Sequence, residues 1–303
     1  MTAPTKFFRG VEMRVGERTR PRIGRIAAWA VLILILVVSL FPFVWALRTA
    51  FSSNAALFSS GQSLWPVDPT TLNFERVLGL EPLSSGGATF DFTTVLRNSV
   101  FVATLVTIGQ VGFSTMAAYA FSRLQWKGRD TVFFIFLTGL MVPPIFTLIP
   151  NFVLIRNLGW LNTIQGIVAP FFLMTPFAVF FMRQFFLGIN RSLEEAAVID
   201  GAGHLTRFFR VIVPVASGPL FTLAILTYIT AWNEFLWPFV VGRSEGVRVF
   251  TVALQFFTTQ QPGTAPDWAG LMAATLLAAL PILILFAFMS RRIVDSIQFS
   301  GIK

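Results

Sequence analysis

Residues 192–214 read SLEEAAVIDGAGHLTRFFRVIVP, the longest polar-rich interruption late in an otherwise apolar chain. Ser192 and Glu195 have the spacing of a capping box, in which an N-cap hydroxyl and a carboxylate three residues on satisfy orphan backbone amides reciprocally. Glu194 and Glu195 fall in the first turn of the helix this predicts, where acids face the positive end of the macrodipole. Gly201 suits a left-handed stop, and the chain turns again at Gly203. A second short helix, His204 to Val213, follows, apolar at Leu205, Phe208, Phe209 and Ile212 with Arg207 and Arg210 between them. Two short helices meeting at a glycine turn form an elbow, and apolar runs of spanning length flank it on both sides.

Those runs set the fold class. A chain of 303 residues with 55% hydrophobic residues, 35 Phe, 12% charged residues and a mean hydropathy of +0.72 is incompatible with a water-exposed surface. Crossing about 30 Å of hydrocarbon takes about 20 helical residues at about 1.5 Å each. Six stretches qualify, at about 26–47, 98–121, 131–155, 164–186, 214–241 and 268–289. The expectation is an all-α polytopic membrane protein of six transmembrane helices, preceded by a basic arm over residues 1–25, with residues 26–303 forming one transmembrane domain. A cleaved signal peptide is the other reading of residues 26–47, but that run exceeds the roughly 7 to 15 residues of a signal h-region. Prolines recur inside the runs (Pro42, Pro143, Pro144, Pro150, Pro170, Pro176, Pro219, Pro238 and Pro281), so kinks are expected where neighbours or water satisfy the freed carbonyls.

The net charge of +9 follows the topology. With alternating loops, the arm, the 122–130 loop, the surroundings of the elbow and the tail share one side. They hold 17 of the 23 basic residues, while Arg48, Arg76, Arg97, Arg156, Arg243 and Arg248 lie on the other. The positive-inside rule makes the first side cytoplasmic, with both termini on it, and leaves nucleic-acid binding without support. The absence of cysteine removes thiolate metal sites and cysteine nucleophiles. His204 is the sole histidine, none of Lys6, Lys127 and Lys303 follows a glycine as a phosphate-loop lysine would, and no GxSxG elbow is present. The chain is therefore expected to be noncatalytic and to bind no cofactor. If ATP drives it, another polypeptide binds the nucleotide.

Polar residues inside the runs are candidates for a pathway, because each costs free energy in lipid. Glu234 stands out in Thr230-Ala231-Trp232-Asn233-Glu234-Phe235-Leu236-Trp237-Pro238, with Thr227 and Thr230 on its helical face. Thr227, Tyr228, Thr230, Asn233 and Glu234 can line a vestibule for a polyhydroxylated solute. In the competing structural reading, Glu234 pairs with Arg48 or Arg97 while Trp232 and Trp237 anchor at the interface. Thr104, Thr107, Gln110 and Ser114 share a broad face of the second run and serve as lining or as helix-to-helix glue, and Asn151 lines the pathway or satisfies backbone freed by Pro150. In the elbow, the small faces of Ala196 and Ala197 admit close approach of another surface, and Glu194, Glu195 and Asp200 offer charge. Docking and simple capping are balanced on these grounds.

Glu195-Ala196-Ala197, Gly201 six residues after the glutamate, and Val211-Ile212-Val213-Pro214 resemble the EAA loop of permease subunits of ATP-binding-cassette importers. Val211 and Val213 depart from its I-x-L-P ending but keep it apolar. Asn98-Ser99, Ala117 to Arg123, Met141 to Pro144, Arg183 to Phe186, Asp200-Gly201-Ala202 and Trp232 to Pro238 are similar to the maltose-type carbohydrate permeases, and the likeness runs from about Ile26 to Lys303. The resemblance implies an inner-membrane subunit that pairs with a second homologous permease. It further implies two cytoplasmic ATPase subunits carrying ATP and Mg, and an extracytoplasmic sugar-binding protein. Glu194, Glu195, Ala196, Ala197, Asp200, Gly201 and Gly203 would then meet an ATPase. The 242–267 segment would correspond to a loop reaching toward the binding protein, and Ser300 to Lys303 to a tail at the ATPase interface. The alternative is a self-sufficient secondary transporter or channel with Glu234 as its coupling group. A membrane-embedded hydrolase lacks nucleophile, base and metal ligands.

Overall fold

The structure, a computed structural model, describes residues 22–59, 63–80, 91–258 and 266–298. The arm up to residue 21, residues 259–265 of the 242–267 segment and the 300–303 tail lie outside the described residues. Among the described residues every regular element is helical, and the one β contact is an isolated antiparallel bridge between Ser52 and Pro69. By its contacts the chain divides after Trp45 into two units. The first contains most of α1 (Arg22–Ala50), whose residues 24–45 are exposed along their whole length, as suits a helix solvated by hydrocarbon.

In the second unit the stretch after α1 contains α2 (Asn54–Ser59) and α3 (Leu72–Val77). Buried Asn73 organises it, its amide donating to the carbonyls of Ala50 and Ser52 at 2.8 Å each. The Ser52 hydroxyl donates to Arg48 O and accepts the Val67 N–H. Next comes α4 (Phe92–Ser122), started by Asp91, whose carboxylate accepts the Thr94 N–H, six residues ahead of the expected run. Helices α5 (Arg129–Leu137), extended by a 3₁₀ turn over Thr138–Met141, and α6 (Pro144–Asn157) follow. After them come α7 (Ile164–Phe172) and α8 (Pro176–Gly188). The elbow consists of α9 (Ser192–Ile199), α10 (His204–Arg207), a π-turn (Phe208–Ile212) and α11 (Val213–Val215). The chain continues through α12 (Ser217–Asn233), α13 (Leu236–Val241), α14 (Phe250–Leu254) and α15 (Trp268–Gln298).

Single helices long and apolar enough to cross a membrane are Gly24–Ala50, Phe92–Ser122 and Trp268–Phe288, and up to six spans result if each bent pair counts as one. The expected 131–155 run is thus not one rod. It bends by 96° between Met141 and Pro144, because Val142 and Pro143 are extended; a residue preceding proline is driven out of the helical region. The 164–186 run bends by 46° ahead of Pro176, and the chain turns by 81° between Val215 and Ser217. The 214–241 run breaks once more at Glu234, where the backbone is extended.

Helix α4 is the axis of the unit and packs on α7, α8 and α12, with α15 against α12 and α3. Gly109 permits the close crossing with α7: a Cβ there would lie 2.4 Å from the Phe172 ring. One apolar cluster gathers Tyr119, Phe121, Phe133, Met182, Phe186, Phe208 and Ile212 around the end of α4 nearest the elbow. A second joins Val102, Val106, Ile167, Trp237 and Val241 nearer its start. The molecule is an all-α polytopic membrane protein.

Candidate functional site

The elbow has the expected two-helix shape but a different start. The residue before α9 is Arg191, in helical conformation and without a capping bond, so Ser192 and Glu195 do not close a capping box. Asn190 takes the role: its Oδ1 accepts the Ser192 N–H at 3.1 Å, the local turn that asparagine forms with the backbone two residues on. At the other end Gly201 is left-handed, with φ +80. Ala202 N–H donates to Ala197 O at 2.8 Å and Gly201 N–H to Val198 O at 2.9 Å, the paired bonds of a Schellman stop. Gly203 is extended and begins α10, so it is not a second left-handed turn.

The two adjacent acids face opposite ways. Glu194 is buried, and its Oε1 lies 3.5 Å from Nε of Arg123, the residue that ends α4. The same guanidinium donates to the carbonyls of Phe186 and, at 2.6 Å, Ile189, which end α8. Burial lowers the Arg123 pKa and the Glu194 charge opposes the shift, while guanidinium stays protonated in any case. Glu195, Ala196 and Asp200 are exposed, Ala197 is half-buried, and Val198 and Ile199 are exposed beside them, Ile199 at 86%. A crevice of about 360 Å³ behind α9 is lined by Arg123, Arg191, Glu194, Glu195, Val198, Ile199 and Arg207. Next to it Arg183 donates to Phe121 O at 3.1 Å and reaches Asp130 at 3.3 Å, with its guanidinium 4.1 Å over the Phe133 ring.

A second site lies between α4, α7, α8 and α12. A cavity of about 230 Å³ brings together Gln110, Thr175, Thr227, Thr230 and Glu234, walled by Val106, Phe171, Phe177, Leu223, Leu226 and Ala231. Four of the expected pathway residues, Gln110, Thr227, Thr230 and Glu234, therefore meet. Asn151, Tyr228 and Asn233 do not line it. Asn151 sits half-buried on α6, Tyr228 stacks on Trp232, and the Asn233 amide turns back to Ile229 O at 2.8 Å. Glu234 caps α13, its Oε1 accepting the Trp237 N–H at 3.2 Å. Trp232 and Trp237 are core residues and not interface anchors: both are buried, and the Trp237 indole donates to Gly166 O at 3.1 Å. The cavity lining carries one carboxylate and no basic side chain. Among the described residues no cluster of three or more His, Asp and Glu is placed to hold a metal.

Polar residues of α4 organise its contacts with distant segments. Ser114 accepts the Thr175 N–H at 3.3 Å and Gln110 donates to the Thr175 hydroxyl at 3.2 Å, so this face of α4 is helix-to-helix glue and cavity lining together. The buried Asn98 amide donates to Gly246 O and Arg248 O, and Ser99 Oγ accepts the Phe250 N–H. Asn98-Ser99 and Arg123 stand at the two ends of an apolar run and within stretches that carry the family resemblance, but no local pattern names their distant partners.

A family model described as binding-protein-dependent transport system inner membrane component matches residues 110–298. The trehalose/maltose transport system permease protein MalG of Thermococcus litoralis is 32% identical over 273 residues, 89% of this chain and 94% of that protein. The inner membrane ABC transporter permease protein YcjP of Escherichia coli K12 is 32% identical over 295 residues, 96% of this chain and all of that one. Among solved structures, a chain of a bacterial ABC transporter that imports the acidic polysaccharide alginate superposes with a TM-score of 0.76 at 26% identity, covering 89% of this chain and 96% of that chain. The family model covers more than half of the sequence and both relatives are matched over nearly their full lengths, so the chain belongs to the inner-membrane permeases of binding-protein-dependent ABC transporters.

Proposed function

We propose that this chain is one of two permease subunits of an ATP-driven sugar importer, forming half of the translocation pathway and receiving force from a separate ATPase through the elbow. The observation that carries the coupling role is the split of the acid pair: Glu194 is buried against Arg123, while Glu195, Ala196 and Asp200 face outward beside Val198 and Ile199. An outward face with small residues, two carboxylates and exposed aliphatics suits insertion into a groove of a second protein. Relatives named for trehalose/maltose, diacetylchitobiose and arabinooligosaccharide transport support an oligosaccharide as cargo. The cavity, with an amide, three hydroxyls, a carboxylate and aromatic walls, offers the hydrogen-bonding and stacking groups that a sugar needs.

Counting each bent pair as one span allows up to six crossings, and the excess of basic residues on one side supports both termini being cytoplasmic. The partners are a second permease, two ATPase subunits that carry ATP and Mg, and a sugar-binding protein on the opposite face. A relative of the same fold, at 15% identity and a TM-score of 0.59, was solved in a complex with its alginate-loaded periplasmic protein. A self-sufficient carrier needs Glu234 for ion coupling, and its bond to the Trp237 N–H gives that reading no support.

Glu195→Arg reverses charge on the exposed face and leaves the Glu194–Arg123 pair in place. The expected result is membrane insertion at the parent level, loss of ATPase subunits from the complex purified through this chain, and uptake reduced more than about tenfold. Co-purification and uptake both at the parent level would falsify the coupling role.

A further inference from the structure

Of the three long helices, α1 contains Pro42 and α15 contains Pro281, whereas α4 contains no proline and runs unbroken from Phe92 to Ser122. Both of its ends are bolted to other segments by buried polar groups. Near its start, Asn98 donates to Gly246 O at 2.9 Å and to Arg248 O at 3.1 Å, and Ser99 accepts the Phe250 N–H at 2.8 Å. Asn98 and Ser99 are 5% and 4% exposed, so breaking these bonds strands buried backbone groups instead of handing them to water. At the far end, Arg123 ties α4 to the last carbonyls of α8 and to Glu194 in the first turn of α9. Between the two clamps lie roughly 25 residues of helix, about 37 Å.

We infer that α4 is the rigid connecting rod of this subunit, and that Asn98, Ser99 and Arg123 are positioning residues joining motion of the elbow to motion of the 246–250 segment on the opposite face. The inference rests on the proposed docking of an ATPase at the elbow. An unkinked helix held at both ends transmits displacement, while the bent pairs around it absorb displacement at their breaks. Gly109 against Phe172, and Ser114 and Gln110 on Thr175, fix the rod laterally to α7 and to the start of α8. A displacement of α9 therefore moves α4 along with the end of α8 and reaches Gly246 and Arg248 through Asn98.

The chain has no cysteine, so Glu245→Cys, at an exposed position beside the clamp, supplies a single reporter thiol. The experiment uses the complex purified through a tag on this chain. It measures the rate at which a membrane-impermeant maleimide labels this chain's band, with and without ATP, Mg and vanadate. In the parent background nucleotide is expected to change the rate by at least about threefold. Arg123→Lys, which keeps the charge but loses the guanidinium fork, and Asn98→Ala are each expected to reduce that change to less than about 1.5-fold while the ATPase stays bound. The double variant should be no worse than either single one, because both break one linkage. Glu194→Gln and Ser99→Ala serve where the first variants do not fold, with the same expectation. A parent rate that ignores nucleotide, single variants that retain the response, or losses that add independently overturn the rod. Absence of ATPase from the parent complex overturns the docking reading itself, and the rod with it.

Discussion

Glu234 shows how one side chain can serve two tasks that a substitution separates. Its Oε1 caps α13 through the Trp237 N–H, and it lines a cavity whose other polar groups are uncharged. Glu234→Gln retains an acceptor for that N–H and removes the charge. The Gln variant is expected to keep the parent's melting temperature but change the concentration dependence of sugar uptake. Glu234→Ala loses the cap as well, at about 1 kcal/mol, and lowers the melting temperature. Equal uptake curves for parent and Gln variant would make the carboxylate purely structural. At Gly166 the constraint is steric, since a Cβ would sit 2.1 Å from the Trp160 carbonyl oxygen. Gly166→Ala is expected to destabilise the solubilised protein by about 1–3 kcal/mol, read as a lower melting temperature at unchanged sequence elsewhere. The glycine stop of the elbow was legible from sequence because its bonds, Gly201 to Val198 and Ala202 to Ala197, are local, whereas the inward turn of Glu194 toward Arg123 was not. Nor was Arg123, because the carbonyls it binds lie more than sixty residues further along the chain.

At the scale of an element, the elbow is defined at its end more firmly than at its start. Its stop depends on φ +80 at Gly201, a conformation that costs an L-residue about 1–2 kcal/mol. Gly201→Val should therefore loosen the Ala202–Ala197 bond, measured as faster amide hydrogen exchange at Ala202, and should weaken ATPase retention less than Glu195→Arg does. Unchanged exchange at Ala202 would mean that another contact fixes the turn. The start was misread because two acceptors compete for the Ser192 N–H: a capping box gives it to the Glu195 carboxylate, but the Asn190 side chain, two residues ahead, takes it. The third apolar run was misread in a comparable way. Its hydropathy is continuous across Pro143 and Pro144, and hydropathy carries no information on backbone direction, which the residue before a proline determines.

For the whole molecule, composition settled the class and the length of the apolar runs located most of the spanning segments, while the way they break and pack depended on contacts between distant segments. The exposed face of α6, with Phe146 at 71% and Ile149 at 71%, needs lipid or a second subunit to cover it. The chain solubilised from its native membrane is accordingly expected to run as a complex well above its own 33.7 kDa, containing a second permease and two ATPases, in light scattering coupled to chromatography. A monomer that catalyses uptake by itself would eliminate the importer reading. Where the elbow joins the rest of the subunit, the chain passes through the π-turn over Phe208–Ile212 before α11 and the 81° bend into α12. Such a turn holds one residue more than the α-helical turn it replaces, and an α-helix advances about 100° per residue. Removing one residue there would let the helix regularise and swing α9 by about that angle, so the segment works like a gear tooth that sets the phase between the elbow and α12.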